Sequence, residues 1–162
     1  MIVKKFDGNL QIHIRQYKRY ASERLYPTKI GITLSPTRFM ILLSSIDAIK
    51  SSVEKLRNKE IVNCKLHLGG GTFVRINSDF PATIDFRRFF LPEGEMTPWP
   101  TKKGIALRLH EWDSLVARLG DISTLINTDE KPCFERLDHI DPTVRFHCKE
   151  CNPFQPFFLQ NY

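Results

Sequence analysis

Cys148-Lys149-Glu150-Cys151 places two thiols at the spacing at which one turn of backbone brings both sulfurs to a single tetrahedral zinc ion, and Cys133 with His139 can complete the set. A structural zinc is the cofactor these four residues imply; the alternative is a group of ordinary reduced thiols in a loose tail. The segment that carries them, Asn127 to Tyr162, is poor in regular patterning. Yet Phe154, Phe157 and Phe158 make it too aromatic for simple disorder, so it needs a staple or a surface to pack on. Cys64 stands apart, and four scattered cysteines do not form a disulfide framework.

A second chemistry is written on the segments that read as strands, whose non-core positions carry arginine and aromatic residues. Toward the N-terminus these are Lys4, Lys5, Phe6, Arg15, Tyr17, Lys18, Arg19 and Tyr20, with Lys29 following; further on they are Arg75, Phe80, Arg87, Arg88, Phe89, Phe90, Trp99, Lys102 and Lys103. Flat rings stack on unpaired bases while cations track the phosphates, the combination used by sequence-tolerant binders of single strands. The competing reading is that Phe86, Phe89 and Phe90 are core, since aromatic residues are good strand formers. Catalysis finds no such support. His13, His67 and His110 are isolated, Glu93 and Glu95 read as a solvated pair, and Gly69-Gly70-Gly71 lacks the Lys-Ser/Thr of a phosphate loop and reads as a hairpin turn.

The elements that must position these residues occur twice. Thr28-Lys29-Ile30-Gly31-Ile32-Thr33-Leu34 returns as Thr101-Lys102-Lys103-Gly104-Ile105-Ala106-Leu107. At the same offset Phe39, Leu42, Leu43, Ile46, Ile49 and Val53 fall opposite Trp112, Leu115, Val116, Leu119, Ile122 and Ile126, each set forming one stripe of a helix. In the second copy the pattern predicts strands over Lys65 to Leu68, Thr72 to Asn77 and Thr83 to Phe89. A proline-bearing loop from Leu91 to Thr101, a strand over Ile105 to Arg108 and a helix from Leu109 to Ile126 complete it. The first copy predicts strands over Met1 to Phe6 and Leu10 to Tyr17, a loop, a strand over Ile32 to Leu34 and one helix from Pro36 to Leu56. Ser35 is its N-cap and Pro36 lies in the first turn. One strand is missing at the front, so either the copy works with three strands or the chain begins upstream of Met1.

Ile84-Asp85-Phe86-Arg87, Pro92-Glu93-Gly94-Glu95-Met96, Lys102-Lys103-Gly104-Ile105-Ala106-Leu107 and Trp112 form an ordered string that resembles the DNA-binding C-terminal domain of the transcriptional coactivator positive cofactor four. The resemblance covers Leu66 to about Ile126, and Phe6-Asp7-Gly8, Ile12 to Tyr17 and Lys29 to Phe39 follow the same family more weakly. It implies an α+β fold of two β-β-β-β-α repeats, each a curved antiparallel sheet with a C-terminal helix, the first lacking its first strand. The two would pack as an intramolecular pseudo-dimer that leaves channels for single-stranded DNA. The divisions expected are a first repeat over 1–60, a second over 61–126 and a tail over 127–162, stapled by metal, with Arg57 to Asn63 as linker.

Carried over residue by residue, the family's loop phenylalanine falls on Phe80 and Phe6, its strand arginine on Arg87 and Arg15, and its strand-end tryptophan on Phe90 and Lys18. The lysine before its glycine is Lys103 in one copy and Ile30 in the other. Where the family places further lysines this chain has Asp7, Asn9, Pro81-Ala82 and Thr97, with Lys4, Lys5, Arg19, Lys29 and Arg88 as compensating cations. The implied partners are single-stranded DNA or melted duplex and proteins of the transcription machinery, with no cofactor needed for the DNA contact.

Charge agrees with a polyanionic partner. The chain has 162 residues and a formal net charge of +6. The surplus sits at the front, with 12 Lys plus Arg against 5 acids over residues 1–60, 8 against 7 over 61–126, and 4 against 6 thereafter. No apolar run approaches the roughly 20 residues of a membrane span and no signal segment opens the chain, which predicts an intracellular and, by the resemblance, nuclear protein. The other class of function compatible with these features is a protein-interaction scaffold that keeps the duplicated fold and has lost strong DNA binding.

Overall fold

A computed structural model describes residues 1–20, 24–79, 81–126, 132–135, 139 and 141–154. It is a mixed α+β structure with two antiparallel sheets. Strands β1 (Ile2–Phe6), β2 (Asn9–Arg19) and β3 (Leu25–Leu34) form a three-stranded sheet in that order, followed by helices α1 (Pro36–Ser44) and α2 (Ile46–Arg57). Strands β4 (Asn63–Gly69), β5 (Thr72–Asn77), β6 (Thr83–Phe90) and β7 (Trp99–Leu107) form a four-stranded sheet, followed by α3 (Leu109–Leu125). A short 3-10 turn (Cys133–Glu135) and α4 (Pro142–His147) lie in the C-terminal segment.

Alternation along the strands sorts the residues. Ile12 and Ile14 of β2, Val74 and Ile76 of β5, and Ile84 and Phe86 of β6 point to the helices and are buried. They join Phe39, Leu42, Ile49 and Val53 of α1 and α2 and Trp112, Leu115, Leu119 and Ile122 of α3 in a single apolar cluster that spans both sheets. Both helical stripes expected from the sequence are therefore core. α1 packs on β2 and β3 and also reaches β4, and α2 touches β5, so the helices after the first sheet also cover part of the second. Arg57 at the end of α2 donates to Asp113 of α3 at 2.5 Å. No helix among the described residues is long and apolar enough to cross a membrane.

Two expectations are corrected. The helix read as one piece from Pro36 to Leu56 is interrupted at Ser45, whose backbone (φ −96°, ψ 1°) leaves the helical region. The Ser44-Ser45 pair is the local cause, with Ser44 Oγ donating back to the Ile41 carbonyl at 2.9 Å. The helix start is as expected: Ser35 Oγ accepts from the Arg38 amide at 3.4 Å and Pro36 sits in the first turn. The strands predicted at Ile32 and Ile105 begin earlier, at Leu25 and Trp99, and run through Pro27 and Pro100. Proline is tolerated there because β3 and β7 are edge strands, where the missing N–H leaves no ladder bond unmade.

β3 and β7 lie against one another, and the pairing of β3 with β2 matches that of β7 with β6. Gly31 pairs with Arg15 and Gly104 with Arg87, each just before a bulge in β2 or β6. Arg15 Nη1 donates to the Thr28 carbonyl at 2.6 Å and Arg87 Nη1 to the Thr101 carbonyl at 2.9 Å. Thr28 Oγ1 donates to Gln16 O at 2.9 Å and Thr101 Oγ1 to Arg88 O at 2.8 Å. A Cβ on Gly31 would lie 2.8 Å from Ile14 O, and one on Gly104 2.6 Å from Phe86 O, both backbone atoms that cannot swing aside. Gly31→Ala and Gly104→Ala should each lower stability by about 1–3 kcal/mol in urea unfolding. Gly120→Ala in α3, where an added Cβ meets nothing, should raise it by about 0.5–1 kcal/mol.

Candidate functional site

The helices cover one face of the four-stranded sheet, and the other face carries polar side chains in a set order. Arg75 (β5), Asp85 and Arg87 (β6) and Lys102 (β7) line a groove of about 540 Å³ that also takes in Asn77, Asp79 and Pro100. Asp85 is 6% exposed and is the hub. It accepts from Arg87 Nε at 2.9 Å and Nη2 at 3.0 Å and from Arg75 Nη2 at 3.2 Å. Arg87 is consequently held rigid by a carboxylate on one side and the Thr101 carbonyl on the other. Arg75 is more open, and its Nε is buried with no acceptor among the described residues. With Lys102, the groove has three cations against the carboxylates of Asp79 and Asp85. Asp85 was within reach of sequence reasoning, since two arginines lie at strand positions flanking it, but its role as their counterion was missed.

A second groove of about 680 Å³ opens where the two sheets meet. Arg15, Tyr17 and Ile30 line it from β2 and β3, and Arg108, Glu111 and Arg118 from the start and middle of α3. Three arginines thus face one glutamate. Glu111 is partly occupied as an N-terminal cap, its Oε2 accepting from the Arg108 amide at 2.8 Å. Arg108 and Arg118 were not singled out in the sequence, because only the folded groove sets them alongside Arg15. Ala106, exposed on β7, lines both grooves, so they adjoin at that residue.

The other expected contact residues divide. Lys4, on the same strand face as Ile2 and Phe6, lies near His13 and Arg15, whereas alternation sends Lys5 to the opposite face. Burial, then the charges of Arg15 and Lys4, holds the His13 pKa below its ordinary value. Phe6, Lys18, Lys29, Arg88, Phe90 and Lys103 are exposed, and Lys103 lies outside the lining of the groove that Lys102 enters. Phe80 falls outside the described residues. Phe86 is buried in the core cluster, and Phe89 is buried outside it, against Phe73.

Beyond Arg75 this sheet face is occupied. Phe73 and Phe89 meet edge to face at 5.3 Å, and Lys65 Nζ sits 4.4 Å above both rings. Burial and the nearby Arg75 charge hold the Lys65 pKa below its ordinary value. Phe154 of the C-terminal segment stacks on Phe73 with centroids 6.4 Å apart. The same segment docks through Glu150, whose carboxylate takes Arg38 of α1 in a two-pronged ion pair (2.6 and 3.2 Å) and whose carbonyl accepts from the Gly70 amide at 2.9 Å. A Cβ on Gly70 would overlap the Arg38 guanidinium and the Glu150 carboxylate, and Gly69, Gly70 and Gly71 all have positive φ. The glycine run is the expected hairpin turn, and it is also a seat for the tail.

Cys133, His139, Cys148 and Cys151 converge, their ligand atoms all within 4.8 Å of one another. His139 Nδ1 is 3.5 Å from Cys133 Sγ and 3.4 Å from Cys151 Sγ, and the Cys133 and Cys148 sulfurs are 3.2 Å apart. That separation is too long for a disulfide, at about 2.05 Å. Burial pushes the Cys133 thiol up, aided by Cys148 and Cys151; burial also leads in raising Cys151. Burial acts on Cys148 too, but hydrogen bonds from the Cys151 and Glu150 backbone and from the Cys133 thiol outweigh it and hold Cys148 below its ordinary value. Cys64 packs half-buried against the core, apart from this cluster.

In comparisons with known proteins, no family model matches the chain, and neither does any curated protein or solved structure.

Because Asp85 is buried while its arginines reach solvent, removing it leaves two guanidiniums without their shared acceptor. Asp85→Ala should cost on the order of 2 kcal/mol by urea unfolding, and Arg75→Ala clearly less, since Arg75 is the more exposed partner.

Proposed function

We propose that this chain is a non-enzymatic module that holds an unpaired strand of nucleic acid, single-stranded DNA by the resemblance described above, along a trough formed by the two adjoining grooves. The observation that carries the reading is the meeting of two arginine-lined grooves at Ala106. Phosphates passing Arg75 and Lys102 in one groove would continue past Ala106 to Arg15, Arg108 and Arg118 in the other. Matching pairings of Gly31 with Arg15 and of Gly104 with Arg87, with their arginine and threonine bonds, support reading the halves as two copies acting as an intramolecular pseudo-dimer. A nuclear role in transcription follows from the resemblance. The second reading, a protein-interaction scaffold, draws on the engagement of Arg87 by Asp85, which takes one cation out of play.

The tail fits a structural zinc. Zn–S bonds of about 2.3 Å and Zn–N bonds of about 2.0–2.1 Å give tetrahedral edges of about 3.6–3.8 Å, and the His139 edges match these. The Cys133 to Cys148 edge would open by about half an ångström to meet the same geometry. Cys133, His139 Nδ1, Cys148 and Cys151 would hold the ion, which supplies a cross-link. Through Glu150 the cross-link fastens the tail to α1 and to the β4–β5 turn.

Fluorescence anisotropy with an unstructured oligonucleotide should show binding at micromolar or lower concentration that weakens steeply as salt is raised. Ala106→Asp, which puts a carboxylate on an exposed strand position between the grooves, should weaken it roughly tenfold and lower the salt slope by about one. Salt-insensitive or absent binding would remove the nucleic-acid reading and leave the scaffold. Metal analysis should find one zinc per chain, absent from a Cys148→Ser, Cys151→Ser variant, and a chelator should lower the melting temperature of the unmodified protein.

A further inference from the structure

At one equivalent place the two sheets carry different chemistry. On the second sheet Asp85 precedes Arg87 on the same strand face and pairs across the ladder with Ala106; on the first, His13 precedes Arg15 in the same way and pairs with Thr33. On the other side the ladder partner of Asp85 is Arg75, and that of His13 is Ile2. Asp85 accepts from both Arg87 and Arg75, so part of the positive charge on the second sheet is cancelled. The first sheet has an imidazole where that carboxylate would be. Beside it stand two cations, Arg15 on its own strand and Lys4 on β1, which alternation puts on the same face.

The ring is placed to accept a proton. His13 Nδ1 lies 3.0 Å from Thr33 Oγ1, a hydroxyl that can donate to the ring or accept from it, so this bond survives protonation. Nε2 has no partner among the described residues and would carry the second N–H. Burial, then the charges of Arg15 and Lys4, disfavours that proton in the free protein. From β3 the ring meets only the Thr33 hydroxyl. Arg15 also lines the second groove, where Arg108 and Arg118 add positive charge and Glu111, already accepting from the Arg108 amide, is the acid. Lys4 is exposed, and His13 and Arg15 are half-buried.

We infer that Lys4, His13 and Arg15 form a phosphate seat on the first sheet in which His13 takes up a proton as the anion arrives, so that the chain holds its strand more tightly as the pH falls. This rests on the nucleic-acid reading above and adds a pH-dependent contact to it. A phosphodiester stays singly charged throughout the range in which an imidazole titrates. Its charge offsets the repulsion by Lys4 and Arg15 that kept the proton off, so the occupied ring holds its proton to a higher pH than the free one. Binding therefore consumes a proton between those two values, and affinity rises as the pH is lowered through them, by at most about tenfold per pH unit. Asp85, ion-paired with two arginines, gives the second copy no such gain.

The test is fluorescence anisotropy of labelled oligothymidylate with the full chain, at one low salt concentration and at about pH 8 and about pH 6. Affinity should be about three- to tenfold higher at the lower pH. His13→Gln, which keeps a hydrogen-bonding group for Thr33 and cannot be protonated, should remove most of that gain. The Met1 amine, which lines the adjoining groove and is held below its ordinary pKa by burial and then by Arg118, is unchanged in this variant, as are the other histidines. The difference between the two profiles therefore belongs to His13. His13→Asp, which copies the second sheet, should weaken binding about tenfold at both pH values. In the unmodified protein the titration midpoint of the His13 ring, followed by NMR, should move to higher pH when the oligonucleotide saturates the chain. A pH profile that His13→Gln leaves unchanged, or a His13 midpoint that the oligonucleotide does not move, overturns the seat and leaves the trough standing. Absence of binding at both pH values overturns both.

Discussion

Phe39 and Trp112 occupy equivalent places on α1 and α3, both almost wholly buried, and around them the inner faces of two separate sheets are drawn into one apolar cluster. At about 25 cal/mol per Å² of apolar surface, sharing a core adds to the burial that each sheet gains from its own helices. The arrangement has a geometric cost. With the helices committed to the inner faces, the edge strands β3 and β7 lie against each other, while Gly31 and Gly104 sit where these strands press on Ile14 and Arg15 of β2 and on Phe86 and Arg87 of β6. Ala106 of β7 lines both grooves, so they meet on this edge strand.

On the outer faces, electrostatics replaces packing. Asp85 fixes Arg87 and draws in Arg75, so the first groove is an ordered mixture of charges, whereas the second has three arginines facing one glutamate. Under the proposed reading, preorganised guanidiniums would lose little rotamer freedom on binding a phosphate, which would offset part of the attraction that Asp85 removes. The far quarter of the four-stranded sheet is closed off instead by Phe154, and the ion pair of Glu150 with Arg38 makes the tail a bridge between the two halves.

Much of this was legible in the sequence where the signal is local. Two-residue alternation marked β5 and β6, Ser35-Pro36 marked the start of α1, and the Cys-x-x-Cys spacing drew attention to four ligands that do converge. What could not be read depends on position in the assembly. Pro27 and Pro100 look like loop residues until β3 and β7 are known to be edges, and the halt at Ser45 is a serine-pair effect within an otherwise unbroken apolar stripe. Lys4 and Lys5 are neighbours in sequence but fall on opposite faces, and Arg108 and Arg118 join Arg15 only in the folded groove. Gly70 reads as a turn residue, and only the docked tail shows that Glu150 and Arg38 also require it to lack a side chain.

The central claim is that the two grooves act as one path for a single strand. Backbone amide resonances of Lys102, Ala106 and Arg118, one from each groove and one from their junction, followed by NMR as an unstructured oligonucleotide is added, test it most directly. A single continuous path requires all three to shift together, with one binding curve that ends at one strand per chain. Shifts confined to one groove, two independent transitions, or no shift at these three positions would contradict it.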